Sequence, residues 1–435
     1  MRRSGSAARA SSTPRGVATA SPTSRSRAGS ASRPPAVGDD ARAASGRVLE
    51  ADGLVLAPGL VDLHTHLREP GFEHKETIAS GTRAAAVGGF TAVAPMAHTA
   101  PVTDAAAVVH EVRARAADAG LCDVFPVGAI TRGLAGEEMS EIGELYEAGV
   151  RVLSDDGRVV PSARVLRNAL TYARAFPGLV IAEHCEEPSL AEGGLVHEGP
   201  MSATLGLAGV PREAEEIVVA RDLALARLTG GRIHFCHLSS AGSVELVRAA
   251  KAAGLAVSAE VTPHHLALTD AALPTYDTSL RINPPLRAAT DRDALRAALA
   301  DGTIDAVATD HAPHAPEEKE VEFDQALPGT IGLETALAVV LTDLVAPGLL
   351  DLPRAIAVLS TSPARILGAT GHGGPIAPGA PANLVLLDPA ATWTVAPPFV
   401  SRSRNSAFTG RELRGRVVAT FLRGEPVVLE GTARR

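Results

Sequence analysis

The chain has 435 residues, 46% of them hydrophobic and 21% charged, which suits one large barrel with an appendage and excludes a collagen-like or wholly disordered polypeptide. With 41 basic against 49 acidic residues and a net charge of −8, the balance argues against nucleic acid or a membrane surface as a partner. No apolar run reaches the roughly 18 residues that a membrane-spanning helix needs, and three scattered cysteines, Cys122, Cys185 and Cys236, make no disulfide framework and fit a reducing cytoplasmic setting.

Residues 1–46 form a low-complexity stretch of Arg, Ser, Ala and Pro, with no acid in the first 38 positions. It reads as a disordered tail; a transit peptide or a stretch outside the natural reading frame are the other readings. Residues 48–56 read as a strand, the residual N-terminal part (47–58) of a small β-domain. From residue 59 short β-branched runs alternate with Ala- and Leu-rich stretches, the pattern of a parallel sheet. Strands are expected at 60–66, 90–96, 123–130, 150–154, 179–184, 232–238, 255–261 and 304–310. Helices are expected at 76–87, 103–118, 137–148, 162–175, 212–228, 241–252, 291–300 and 332–345, with another near 353–366. Eight such units predict an α/β fold, a TIM-type (β/α)8 barrel over 59–368. The remainder, 369–435, turns to Gly, Pro and short strands at 383–387 and 417–422, so that both flanks would form one composite β-domain.

The chemistry gathers at the predicted strand ends. His64 and His66 end the first strand, and a period of two aims both imidazoles to one side. Asp155 and Asp156 end the fourth strand, His184 the fifth, His237 the sixth and Asp310 the eighth, all at the C-terminal mouth where such barrels place their active sites. Uncompensated, so many buried polar groups would be costly; two divalent cations would use them. Imidazole and carboxylate donors without thiolate suit zinc, with other divalent metals possible. Cys185 and Cys236 adjoin two of these histidines, and alternation is expected to turn both away from the mouth to pack between strands and helices. Arg68, just past His66, offers a planar fork suited to a carboxylate. Glu317-Glu318-Lys319-Glu320 reads as a solvated charged face, or, close behind Asp310 and His314, as part of a lid over the mouth, and receives no chemical role.

The segments Pro58-Gly59-Leu60-Val61-Asp62-Leu63-His64-Thr65-His66-Leu67-Arg68, Ser154-Asp155-Asp156-Gly157, Glu183-His184-Cys185-Glu186, Cys236-His237-Leu238-Ser239, Asn283-Pro284-Pro285-Leu286-Arg287 and Thr309-Asp310-His311-Ala312-Pro313-His314 closely resemble the class I dihydroorotases of the amidohydrolase superfamily. The resemblance spans about residues 48–425. It implies two zinc ions per subunit, one held by His64, His66 and Asp310, the other by His184 and His237, with Asp156 rather than Asp155 as the bridge. Related hydantoinases, dihydropyrimidinases and allantoinases bridge their metals through a carboxylated lysine on strand four. None of the three lysines here, Lys75, Lys251 and Lys319, lies on that strand.

The resemblance further implies reversible hydrolysis of L-dihydroorotate to N-carbamoyl-L-aspartate by a hydroxide bridging the metals, with Asp310 as general base and then acid. The substrate would be held by His66, Arg68, Asn283 and His314 and the backbone at Pro328 and Gly329. A homodimer and contact with aspartate transcarbamoylase follow from the same likeness; a non-catalytic scaffold for that enzyme is the reading from a different class. Two departures stand out. His98 occupies the place of the usual asparagine, which predicts retained chemistry with a raised substrate requirement, and the N-terminal β-strands before Pro58 are mostly missing from the pattern.

Overall fold

The computed structural model describes residues 51–434 without a break and, before them, the strand segments Ala18–Thr19, Ser24–Ser26, Ala36–Val37 and Arg47–Leu49. Eight parallel strands run Leu60–Thr65, Phe90–Pro95, Asp123–Val124, Val152–Leu153, Val180–Glu183, Ile233–Phe235, Val257–Val261 and Ala306–Val307. Neighbours pair in that order. The gap between the third and fourth strands is bridged through Gly128 and Leu153, and the eighth joins the first through Thr65 and His311, so the sheet closes into a barrel.

Alternation explains why these runs pack as they do. Val61, Leu63, Ala92, Ala94, Val180 and Ala182 fill the inside of the barrel with Ala306 and Ala308. Leu60, Val93, Leu153, Ile181, Phe235 and Val307 face the surrounding helices. Small alanines dominate the inner set, which leaves the barrel's axis room for the larger polar side chains above them. The third strand is shorter than its expected span because Pro126 has no N–H to offer the ladder, although Phe125 and Val127 still donate to Val93 and Pro95.

Helices follow the strands at Ile78–Val87, Ala106–Ala119, Ile142–Glu147, Ala163–Ala173, Glu213–Thr229, Ala241–Ala252 and Ala289–Asp301. Several begin where a hydroxyl side chain takes over an unpaired N–H: Thr77 accepts from Ser80, Ser162 from Val165 and Ser240 from Ser243. The two last helical stretches each widen into a five-residue π turn, Leu341–Val345 and Ala357–Thr361.

A second, antiparallel sheet combines both flanks of the barrel. Val55–Pro58 pairs with Leu384–Thr394, which pairs with Glu412–Leu422, then Glu425–Leu429 and Thr432–Ala433. The strand expected at 48–56 is two strands, because Asp52 and Gly53 make a turn in which Leu54 donates to Ala51 and Gly53 takes φ 74°. The sheet does not stop at Val55–Pro58 either: Ala18–Thr19 adds to its free edge. Arg47–Leu49 instead joins Ser24–Ser26 and Ala36–Val37. Apart from those short segments, the tail read at 1–46 lies outside the described residues. Among the described residues no helix is long and apolar enough to cross a membrane.

Candidate metal centre

The C-terminal ends of five strands converge on one buried cluster. His64, His66 and Asp310 bring their ligand atoms within 4.8 Å of one another, as do Asp156, His184 and His237. Asp156 stands between the two groups. Its Oδ2 lies 3.2 Å from His64 Nε2 and 3.4 Å from His66 Nε2, while its Oδ1 lies 3.3 Å from His237 Nε2 and 3.8 Å from His184 Nδ1. One carboxylate therefore offers an oxygen to each group. Asp310 Oδ1 is 3.3 Å from His66 Nε2 and 3.5 Å from His64 Nε2.

Three residues of the cavity reach their positions through left-handed backbone. Arg68, His237 and Asp310 have φ of 63°, 32° and 45°, a conformation that costs a non-glycine residue about 1–3 kcal/mol and persists only where its surroundings enforce it. At His237 this turn overrides strand alternation and corrects one expectation. Cys185 packs between strand and helix, but Cys236 lies inside the barrel with Val61 and Leu63, close to His64 and Asp156. Its neighbour His237 would face outward in a regular strand, and the left-handed φ swings it back over the mouth.

Behind the ligands stands a row of buried carboxylates. Glu260 Oε1 is 3.0 Å from His64 Nδ1, and its Oε2 is 3.1 Å from His234 Nε2. Burial would raise the Glu260 carboxyl, but the hydrogen bonds from His234 and His64 bring it down to about 2. An ionised Glu260 places the His64 proton on Nδ1, so Nε2 presents a lone pair to the cluster. That atom is enclosed and makes no hydrogen bond, and on the other side of Asp156 His184 Nδ1 and His237 Nε2 approach within 3.0 Å of each other. Imidazole nitrogens and carboxylate oxygens gathered at these distances fit divalent cations. Asp62 accepts from the Thr309 amide and hydroxyl and from the His64 amide, tying the chain beside Asp310 to the first strand. Asp155 accepts from the amides of Ile130 and Thr131 and from the Thr131 hydroxyl. Its oxygens are thus occupied, and only Asp156 faces the histidines.

Above the cluster opens a cavity of about 360 Å³, walled by Arg68, His98, Asn283, His314, Pro328 and Gly329. All six residues named for substrate contact beyond the ligands border the same space. Arg68 is buried; its Nε donates to Pro313 O at 3.1 Å and its Nη2 lies 3.5 Å from His314 Nε2. Asn283 donates to Glu186. His98 is exposed at the rim and meets Phe72 edge-on; loss of solvent first, then His66 and Arg68, lower it to about 4. His265 and His311 serve the framework: His265 bonds Thr262 and Pro284, and His311 bonds Glu76 and Gly332.

Sequence reasoning passed over Glu260, Asp62, Phe72 and Lys75. A signal existed for the first two, since a lone carboxylate inside an otherwise apolar strand must have a buried partner. Lys75 borders the cavity too, but nothing near it in the sequence reveals which loop it will meet. It pairs with Glu318, Lys251 pairs with Asp305, and Lys319 donates to Thr278 and Arg281. All three lysines are thus accounted for away from the bridging position.

A closed parallel barrel with imidazole and carboxylate ligands at its C-terminal mouth defines a metal-dependent amidohydrolase, and residues 221–428 match the Amidohydrolase family profile. Residues 53–243 match the Dihydro-orotase-like profile. The chain is 54% identical to the dihydroorotase of Streptomyces coelicolor over 399 residues, covering 91% of this chain and 93% of that protein. It is 53% identical to the dihydroorotase of Mycobacterium tuberculosis, covering 89% and 90%. Among solved structures, the L-hydantoinase of Arthrobacter aurescens superposes with a TM-score of 0.78 at 26% identity, covering 90% and 95%. The dihydropyrimidinase of Brevibacillus agri gives 0.77 at 25%, covering 93% and 91%. The chain belongs to the dihydroorotase family.

Proposed function

We propose that this chain hydrolyses, reversibly, the cyclic amide of L-dihydroorotate to N-carbamoyl-L-aspartate, the dihydroorotase step of pyrimidine biosynthesis. The observation that carries the reading is Asp156, one carboxylate with an oxygen toward each ligand group, in a protein more than half identical to dihydroorotases. Hydantoinases share the barrel at about half that identity, and no lysine stands where a carboxylated bridge would be needed.

Two divalent cations, zinc by the donor set, would be held by His64, His66 and Asp310 and by His184 and His237, with Asp156 shared; when bound they lower the pKa of water and polarise the carbonyl under attack. The protein's own residues do the rest. Asp310 Oδ1 borders both the ligand cluster and the cavity, where it takes the proton of the attacking water and passes it to the departing ring nitrogen. A carboxyl ordinarily ionises at about pH 4, so at neutral pH Asp310 begins as a base. The Arg68 guanidinium and His314 bind the carboxylate on the ring, and Asn283 with the backbone at Pro328 and Gly329 meets the ring's amides.

The test is turnover of L-dihydroorotate by metal-replete and chelator-treated protein, with hydantoin and allantoin as controls and metal content measured in parallel. Metal-dependent hydrolysis of dihydroorotate alone is expected. Hydrolysis of the controls in its place would overturn the substrate assignment, and absence of turnover at full metal loading would favour the scaffold role with aspartate transcarbamoylase. Sedimentation of the purified chain tests the homodimer that the resemblance implies.

A further inference from the structure

The four charged residues Glu317-Glu318-Lys319-Glu320 do not form one solvated face. Glu317 and Glu320 are exposed, whereas Lys319 is buried and Glu318 turns toward the cavity wall. Lys319 fixes the helix Pro316–Lys319 by donating to Thr278 O at 2.9 Å and Arg281 O at 3.4 Å, and the Thr278 hydroxyl answers by donating to Lys319 O. Glu318 is thereby held with one oxygen 2.6 Å from Lys75 Nζ and the other 3.1 Å from His314 Nδ1.

The histidine between these groups has more acceptors than a neutral ring can serve. Nδ1 faces the Glu318 carboxylate, and Nε2 lies 2.9 Å from Pro328 O. Neutral imidazole has one N–H: with that proton on Nδ1 toward Glu318, Nε2 turns a lone pair to Arg68 Nη2 at 3.5 Å and leaves Pro328 O unserved, and only the imidazolium serves both acceptors. Against this stand the cations around it, Arg68 and Lys75 from the loop after the first strand and Lys319 from its own side of the cavity; Ser403 and Asn405, which contact its backbone, are neutral. Burial first, then Arg68, Lys319 and Lys75, lower the free ring to about 3 despite Glu318. A carboxylate arriving between Arg68 and His314 changes the sum in one direction, because it neutralises Arg68 and adds an acceptor.

We propose that His314 meets the substrate carboxylate as an imidazolium, taking a proton from solvent as the ligand arrives, with Glu318, clamped by Lys75, as its counter-ion. The inference rests on the reading of Arg68 and His314 as the carboxylate site. A group whose pKa is higher in the complex than in the free protein makes binding weaken as pH rises, by up to tenfold per unit, until the complex's own pKa is passed. Glu318 is a positioning residue here: it touches no reacting atom and acts through His314.

The experiment is calorimetric titration of the metal-loaded enzyme with orotate, which carries the carboxylate on a conjugated ring, at about pH 6 in buffers of differing ionisation enthalpy, beside the pH profile of KM for dihydroorotate. Uptake approaching one proton, its loss in His314→Gln, and a KM rising with pH are expected. Glu318→Gln should reduce the uptake and weaken binding about tenfold, with the larger change in KM rather than kcat. No uptake by the wild-type enzyme together with a flat KM profile, or uptake that persists in His314→Gln, would overturn the proposal whether or not the Glu318 variant folds. Wild-type enzyme that fails to turn over dihydroorotate at all would instead overturn the functional reading beneath it.

Discussion

The floor and the wall of the cavity are built on different principles. The floor consists of side chains at strand ends, with His64 at 0% and His184 and His237 at 2% exposure. A carboxylate fixes His64 from behind, Glu260, and another, Asp62, fixes the chain beside Asp310. The wall comes from loops: Arg68 and Lys75 after the first strand, His98 after the second, Asn283 between the seventh and eighth, and 313–329 after the eighth. Its members hold one another through Glu318 and His314 rather than through the barrel. The floor can therefore keep its ligand geometry while the wall changes substrate, which fits a barrel shared with hydantoinases at only 26% identity.

The sharpest test of this division is Asp310, the one floor residue proposed to move a proton as well. Asp310→Asn should lower kcat by at least about a thousandfold, with bound metal quantified in the same sample. Near wild-type turnover would remove the aspartate from the mechanism. Glu260→Gln comes next. It leaves every proposed ligand in place but frees the His64 tautomer, and loss of such an outer partner typically costs about 10–100-fold in metal affinity. Competition with a chromogenic chelator reads this directly. Unchanged affinity would mean that the ring is aimed by packing alone, and the contrast between a backed floor and a self-supporting wall would lose its physical basis.

Arg68→Lys probes the wall. Lysine keeps the charge but loses the fork, and the buried guanidinium's hydrogen bonds are worth about 1.5–3 kcal/mol when charge-assisted. KM for dihydroorotate should rise about tenfold to a hundredfold, with metal content intact. A fall in bound metal would show that floor and wall are not separable at this residue.

The same division governed what the sequence made legible. Five strand ends repeat a pattern of apolar run followed by His or Asp, so the barrel strands and the six side chains that gather at its mouth were legible from spacing. The bridge followed only because a resemblance chose Asp156 over Asp155, and in the structure the choice depends on the amides of Ile130 and Thr131, which occupy Asp155 from another strand's end. Cys236 escaped because alternation fails at a left-handed His237. Lys75 and Glu318, 243 residues apart in number, meet only because the barrel closes. Likewise, Ala18–Thr19 has no apolar alternation to announce that it completes a sheet edge.

The smallest expected effect lies at the rim. His98, read from the sequence as replacing an asparagine, is exposed and stands against Phe72. An imidazole offers the substrate one N–H, whereas an amide offers two donors and an acceptor. One additional hydrogen bond of about 0.5–1 kcal/mol makes His98→Asn lower KM by about two- to fivefold with kcat little changed. Burial first, then His66 and Arg68, hold the free His98 imidazole down at about 4, and the proton uptake proposed above is assigned to His314 alone. The KM profile of His98→Asn should then run parallel to the wild-type profile, displaced but of the same slope. A slope that changes would assign the proton to the rim histidine instead of His314, and a KM that rises would mean that the imidazole is the better donor in this wall.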